Sequence, residues 1–392
     1  MTSMLRAEKI DEQMTDGHFP ITRPEWDDLL SRASKPSIFV TWEWLVSWWE
    51  IYQKEHKLWW LTVRDAQGRL VGSAPLYLRR YRNGLFLPYR ELRFIGTGEP
   101  VSPEHLDLVA DRAYQSEVVS AITSYLVERV SDWDVLQLTD LSIREDGSAL
   151  TALDFDRALG DRGVACFTED QVPGAPSVPL PDSWEEYFRS LSQSMRTQIT
   201  RHRRKVSQDL GLKFHVWSKV DGDLEFALDE FERLFRDRKT SIGISDKFKE
   251  VWGYREFHRR LAGEFADRGW LYLAFLIDGK KAVAAQYAFL FRGTLYAYQS
   301  GFDSSLGKFN VSKVLRSYVI QDVISRGVRE LDFLRGEEAY KYDWNALTRR
   351  KQLIRCFSPT FYGHLLTKML RLKRAAKWFQ SLAQEGEFLN EA

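Results

Sequence analysis

Two stretches in the second half of the chain combine residue types that can move protons and hold anions. The first is Leu331–Trp344, where an apolar strand opens directly into Arg335, Glu337, Glu338, Lys341 and Asp343, with Tyr340, Tyr342 and Trp344 set among them. Carboxylates beside phenols and cations are the groups that general acid–base chemistry uses, and strand ends are where α/β proteins build sites. An ion-paired knot that closes the domain is the other reading. The second stretch, Tyr296–Lys313, reads as a strand, a polar glycine-containing loop and the start of a helix. Such a loop offers free backbone N–H groups at a helix N-terminus, where phosphates bind favourably. Lys308 and Lys313 could add charge there, or Asn310 and Ser312 could simply cap the helix.

These stretches need elements to hold them. Arg23–Arg32 and the tryptophan-rich Thr41–Gln53 read as helices, the second packing into a core. A hairpin over Leu58–Leu78 turns at Asp65–Gly68, strands follow near Glu91–Ile95 and Leu106–Val109, and a helix over Ser116–Val130 feeds a strand at Trp133–Thr139. A helix near Ala149–Leu159 leads to a strand near Val164–Phe167. Gln171–Pro181 carries four prolines and reads as an extended connection between domains. Ser183–Glu186 is a capping box opening one helix through about Asp209, followed by helices near Asp223–Thr240 and Lys247–Asp267. A second hairpin, Trp270–Phe291 with a turn at Asp278–Lys280, precedes the strand Thr294–Gly301, the helix Asn310–Arg326 and the strand Arg329–Leu334. The second half therefore repeats the order of the first about 200 residues later, which suggests a duplicated unit.

With 392 residues, two domains are expected. We set them at 1–175 and 176–360, with a basic amphipathic helix and tail over 361–392. Lys and Arg total 56 against 55 Asp and Glu, so any preference for anions must come from local patches rather than from net charge. One patch is Arg196–Lys205, on the helix that opens the second domain, where Arg196 and Arg203 could grip an anionic acceptor or form a solvated face. The C-terminal stripe Leu365, Met369, Leu372, Ala376 and Phe379, flanked by Lys368, Arg371, Arg374 and Lys377, could lie on an anionic membrane surface or dock on its own domain. Cys166 and Cys356, both in segments read as strands, argue against a disulfide framework and fit a reducing compartment. The leader Met1–Phe19 lacks an apolar run, and no stretch is long and apolar enough to span a bilayer, so a cytoplasmic protein is expected, with peripheral membrane contact open. Scattered histidines give no metal spacing. Hydrolase, P-loop and dinucleotide-binding motifs are absent.

The strand–loop–helix from Gly301-Phe-Asp303 to Val314, followed by Asp332-Phe-Leu-Arg-Gly336, Tyr340-Lys341 and Trp344, resembles the tandem acyltransferases of the CelD type found in cellulose biosynthesis and, more distantly, the Fem aminoacyltransferases. The resemblance covers most of the chain and is strongest over residues 183–358. It implies an α/β fold of two tandem GNAT-like domains with mixed central sheets. It also implies transfer of an acyl group from acyl-CoA, such as acetyl-CoA, to an amine or hydroxyl of a sugar, cell-envelope or exopolysaccharide precursor, without a metal. Aminoacyl transfer from tRNA and a non-catalytic module that binds polysaccharide-synthesis machinery are the alternatives. The long helical arm of several Fem proteins has no counterpart here. In place of the superfamily's Gln/Arg-x-x-Gly-x-Gly/Ala phosphate loop the chain carries Ser305-Leu-Gly-Lys-Phe-Asn310.

Acyl transfer needs an activated acceptor, a polarised carbonyl and a proton for the leaving group. Glu338 or Asp332 is assigned as base or acceptor-orienting carboxylate, and Tyr298 or Tyr340 as acid. Gly301, Phe302, Gly307, Lys308, Asn310, Ser312 and Lys313 are expected at the donor. Gln286, Arg335, Lys341, Trp344, Arg196 and Arg203 are expected at the acceptor, with backbone pairing the competing role for Gln286.

Overall fold

A computed structural model of the chain describes residues 5–9, 21–34, 36–81, 88–98, 100–143, 152–241, 243–279 and 281–372. Lys280, most of the leader and the stripe beyond Leu372 lie outside the described residues. The first half runs β1 (Ala7–Lys9), α1 (Arg23–Arg32), α2 (Trp42–Tyr52), β2 (His56–Arg64), β3 (Leu70–Tyr81), β4 (Tyr89–Phe94), β5 (Val109–Ala110), α3 (Gln115–Glu128), β6 (Val135–Ser142), α4 (Ala152–Gly160) and β7 (Ala165–Pro179). The second half opens with α5 (Trp184–Ser190), α6 (Gln193–Arg204), β8 (Lys213–Val216), α7 (Leu224–Ser241), α8 (Lys247–Glu250) and α9 (Tyr254–Asp267). It continues with β9 (Leu271–Asp278), β10 (Lys281–Phe291), β11 (Thr294–Phe302), α10 (Val311–Ser325), β12 (Glu330–Asp332), α11 (Ala339–Tyr342) and β13 (Leu347–Phe357).

Among the described residues these strands form one mixed sheet in the order β1-β2-β3-β4-β6-β13-β7-β12-β11-β10-β9-β8, with β5 on β3. The repeated order has a structural counterpart. In each half a hairpin and a third antiparallel strand are followed by a helix and a parallel return strand, giving β4 beside β6 and β11 beside β12. The last strands are exchanged. β7, which ends the first half, pairs with β12, and β13, which ends the second, pairs with β6. Gln171–Pro181 is thus extended, yet most of it belongs to the ladder rather than to a free connection. A register shift lies opposite Gln171–Ala175, where Pro173 has no N–H to donate.

Two further readings are corrected. The single helix over residues 183–209 is two helices, because Ser192 starts a fresh N-cap by accepting the Met195 N–H. Cys166 and Cys356 lie directly opposite each other on β7 and β13 and form a disulfide, with Cα atoms 4.0 Å apart. Strand exchange brings together residues that are 190 positions apart in sequence. One apolar core continues from the first half into the second. Trp26, Trp44, Trp48 and Trp60 are buried in it, as are Phe231 and Phe235 of α7 and Phe257 and Leu261 of α9. A second core lies on the other sheet face, between α5, α6 and α10. No helix among the described residues is long and apolar enough to cross a membrane, and no group of three or more His, Cys, Asp or Glu could hold a metal.

Candidate active site between two diverging strands

The parallel pair β11/β12 is short for a physical reason. Its ladder holds only at Thr294–Glu330, Leu295–Leu331 and Tyr296–Asp332. β11 runs on to Phe302, still paired with β10, whereas the chain beyond Asp332 turns away through Leu334 in the left-handed region (φ 57°). The gap that opens beyond the last pair is flanked by α7 and α10. Gly301 allows α7 to come this close, since a Cβ there would sit 2.3 Å from the Phe235 backbone nitrogen.

Two arginines reach this gap from opposite sides. Arg316, on α10, is only 8% exposed, lies over the Phe333 and Tyr340 rings at 5.0 and 4.9 Å, and has a buried Nη1 without a hydrogen-bond partner. No carboxylate pairs with it among the described residues. Arg238, on α7, donates to the Ser300 carbonyl (3.0 Å) and Oγ (2.8 Å) and lies over Phe302. Burial, and the nearby Arg316 charge, hold its pKa below the usual guanidinium range. Lys239 is lowered likewise, by burial and by Arg238. Neither guanidinium has a carboxylate partner among the described residues, so a ligand carboxylate, phosphate or oxyanion there would meet charge that is already partly desolvated.

Glu338 stands at the mouth of the gap, its side chain 57% exposed and 2.9 Å from Lys341. Burial would raise its pKa, but Lys341 and Arg238 outweigh that and lower it, which favours the carboxylate form and weakens it as a base. Tyr340 is 39% exposed beside it. At the other end, the Ser304–Phe309 turn and Asn310, itself left-handed, lead into α10 without a side-chain cap. Neither expected cap acts as one, since Asn310 Nδ2 instead meets His202 Nε2 at 3.0 Å. Ser312 is in the first turn, Gly307 and Lys308 are in the approach, and Lys313 bonds Gln198 at 2.8 Å.

The remaining predicted residues lie elsewhere or carry out other work. Asp332 is fully buried, 2.7 Å from His105 Nε2 and 3.5 Å from Arg349, and accepts the Leu334 N–H at 2.8 Å. Burial would raise its pKa, and His105 and Arg349 bring it below the usual value. Being enclosed, it does not reach an acceptor directly. Arg335 binds Glu104 (3.1 Å) and Asp140, part of a buried network with Lys351 that joins the halves. Lys341 donates to the carbonyls of Leu334, Arg335 and Gly336 at 3.1, 3.0 and 2.8 Å, which fixes the loop after β12. Trp344 is a core residue whose carbonyl accepts from Tyr187. Gln286 is buried and donates to the Gln299 carbonyl at 2.8 Å. Tyr298 accepts the Ser102 N–H at 3.2 Å, and burial pushes its pKa up. Arg196 caps the carbonyls of Arg189 and Leu191. Arg203 bonds Ser317 and Gln321 at 2.8 Å each between Trp184 and Tyr318, and burial lowers it to about 10.

Sequence reading missed Arg238, Arg316 and His105. A signal for Arg316 existed, since it falls on the apolar face of α10 with Val319, Ile320 and Val323, where a charge is unexpected.

With the fold and this geometry in hand, the class is an α/β fold of GNAT type, built on one large mixed sheet. Residues 193–342, from α6 to α11, match the family model of an acetyltransferase (GNAT) domain. Among solved structures, FemX is similar over 88% of this chain and 96% of its own, at 12% identity and a TM-score of 0.61. A conserved protein of unknown function from Bacteroides thetaiotaomicron VPI-5482 is similar over 86% of this chain and 98% of its own, at 11% identity and a TM-score of 0.52. At these identities the likeness is one of fold. No curated protein matches the chain.

Proposed function

We propose that the chain is an acyltransferase whose donor and acceptor meet in the gap between β11 and β12, with acyl-CoA as donor and an amine or hydroxyl of a sugar or cell-envelope precursor as acceptor. The observation that carries this is Arg316, buried and unpaired beside Arg238 within the segment that matches the acetyltransferase domain. The donor's phosphates would use the N–H groups of Val311, Ser312 and Lys313 with Lys308. In the transfer the acceptor nitrogen or oxygen bonds to the thioester carbon, the carbon–sulfur bond breaks, the thiolate takes up a proton and the acceptor gives one up. Arg316 and Arg238 would stabilise the oxyanion that forms on the way. Tyr340 is the exposed phenol available as proton donor, and Glu338, held ionised, would orient the acceptor rather than deprotonate it.

The likeness in fold to FemX over most of both chains supports a second reading, aminoacyl transfer in the same gap. Incubating the protein with acetyl-, succinyl- and longer acyl-CoAs and a set of amino sugars, and following free thiol release, separates the two. Acceptor-dependent release that Arg316→Met abolishes supports the first. No release with any pair, alongside turnover of an aminoacyl-tRNA, supports the second.

A further inference from the structure

A second cleft lies where the halves meet. It has a volume of about 820 Å³, the size of pockets that take a nucleotide- or sugar-sized ligand. It opens at the C-terminal end of β6 and the start of α3, and Phe291–Tyr296 close it from the second half.

Its charged groups are unevenly matched. At the rim, Arg112 and Arg292 have no carboxylate partner among the described residues. Each is steered by a backbone carbonyl, Arg112 by that of Arg32 (3.1 Å) and Arg292 by that of Leu30 (2.8 Å). Arg292 is also left-handed (φ 48°) beside Gly293 (φ 80°), in the β10–β11 turn. That backbone favours Asn or Gly rather than Arg. Of the acidic groups of the cleft, Glu330 is ion-paired, held by both nitrogens of Arg349 at 3.0 and 3.1 Å, and Asp107 accepts the backbone N–H of Leu108 at 2.8 Å.

The floor supplies a donor. His105 bridges Ser142 Oγ, through Nδ1, and Asp332, through Nε2. Burial opposes the imidazolium, but Asp332, with Glu104, outweighs both burial and the opposing Arg349 and raises the pKa. The raised pKa favours the imidazolium, in which Nδ1 donates and Ser142 Oγ accepts. Ser142 lines the cleft and can then offer its own proton to a ligand.

We propose that this cleft binds a phosphate-bearing small molecule, gripped at the rim by Arg112 and Arg292 and at the floor by the Ser142 hydroxyl. The site does not rest on the acyl-donor reading, because its ligand contacts, Arg112, Arg292 and Ser142, are none of the residues placed in the β11/β12 gap. Guanidiniums match phosphate oxygens in paired fashion, and a floor donor fixes the depth of the ligand. Ser142 and His105 are positioning and binding groups here.

Titrating inorganic pyrophosphate into the full chain by calorimetry tests the proposal. Saturable binding is expected that weakens at least tenfold in Arg112→Gln/Arg292→Gln and several-fold in Ser142→Ala, and that persists in Arg238→Gln/Arg316→Gln. The charge-keeping Arg112→Lys/Arg292→Lys variant should bind more tightly than Arg112→Gln/Arg292→Gln and less tightly than the parent, which separates loss of the anion contact from loss of fold. Affinity in the parent should also fall as pH rises through the His105 titration, and this fall should be absent in His105→Gln. Absence of saturable binding, or binding equal in the parent and in Arg112→Gln/Arg292→Gln, would overturn the proposal.

Discussion

Arg335 leaves the end of β12 and closes its guanidinium on the carboxylate of Asp140, near the end of β6. The return strands of the two halves are thereby tied to each other at their tips. Glu104 (3.1 Å) and the fully enclosed Lys351, 2.7 Å from Glu104 and 3.3 Å from Asp140, complete the knot. His105 and Asp140 both adopt left-handed backbone there, at φ 52° and 62°.

A buried pair is expensive to break from one side, since the remaining charge stays desolvated. Lys351→Met leaves Glu104 and Asp140, both buried, with the part-exposed Arg335 as their remaining cation in the knot, and burial already raises the Glu104 pKa. The expected loss is about 3–5 kcal/mol in urea unfolding. A loss below about 1 kcal/mol would show that the network is hydrated rather than enclosed.

Arg316 has the opposite balance. A buried guanidinium with an unpartnered Nη1 is a cost to the fold, so Arg316→Met should leave stability unchanged or raise it by about 1 kcal/mol while lowering kcat/KM at least tenfold. Thermal unfolding and steady-state kinetics on the same preparation check both halves of this expectation. A variant that is less stable and equally active would make Arg316 a packing residue.

Gly301 illustrates a residue whose role is to be small. A methyl group there would overlap the Leu234–Phe235 backbone of α7, and backbone cannot step aside as a side chain can. Gly301→Ala is expected to cost about 2–3 kcal/mol, seen as a lower midpoint in urea with an unchanged m-value.

The pair His105–Asp332 sets a pH window. His105 has a raised pKa, so its contribution is complete below the unfolded value near 6.5 and fades as pH rises through the folded one. Asp332 has a lowered pKa, so its contribution is present above the unfolded value near 3.8 and fades as pH falls through the folded one. Stability from the pair is therefore greatest between about pH 4 and 6.5. Urea midpoints at pH 5.5 and 8.5 should differ more in the parent than in His105→Gln, and equal differences would contradict this.

Much of the fold was legible because it is written in local signals. The hairpin turns, the capping at Ser183, the crossover helix Val311–Ser325 and the strand after it all follow from periodicity and turn chemistry. What could not be read was long-range. Nothing local to Gln171–Pro181 shows that β12 and β13 will flank it, and nothing near Cys166 points to Cys356. The site was half visible for the same reason. The charged run after β12 was read as a site, with an ion-paired knot as the alternative, and Arg335 and Lys341 are taken up by the knot and by the loop carbonyls. The guanidiniums that remain without a carboxylate partner, Arg238 and Arg316, come from two helices whose convergence only the tertiary structure sets.

The central claim, that the β11/β12 gap receives an acyl donor, is tested most directly by thermal unfolding with and without acetyl-CoA and longer acyl-CoAs. At a concentration 100 times the dissociation constant the ligand should stabilise the parent by about 2.7 kcal/mol, and Arg238→Gln/Arg316→Gln should lose that shift while remaining folded. No shift with any acyl-CoA, or an equal shift in the double variant, would contradict the account.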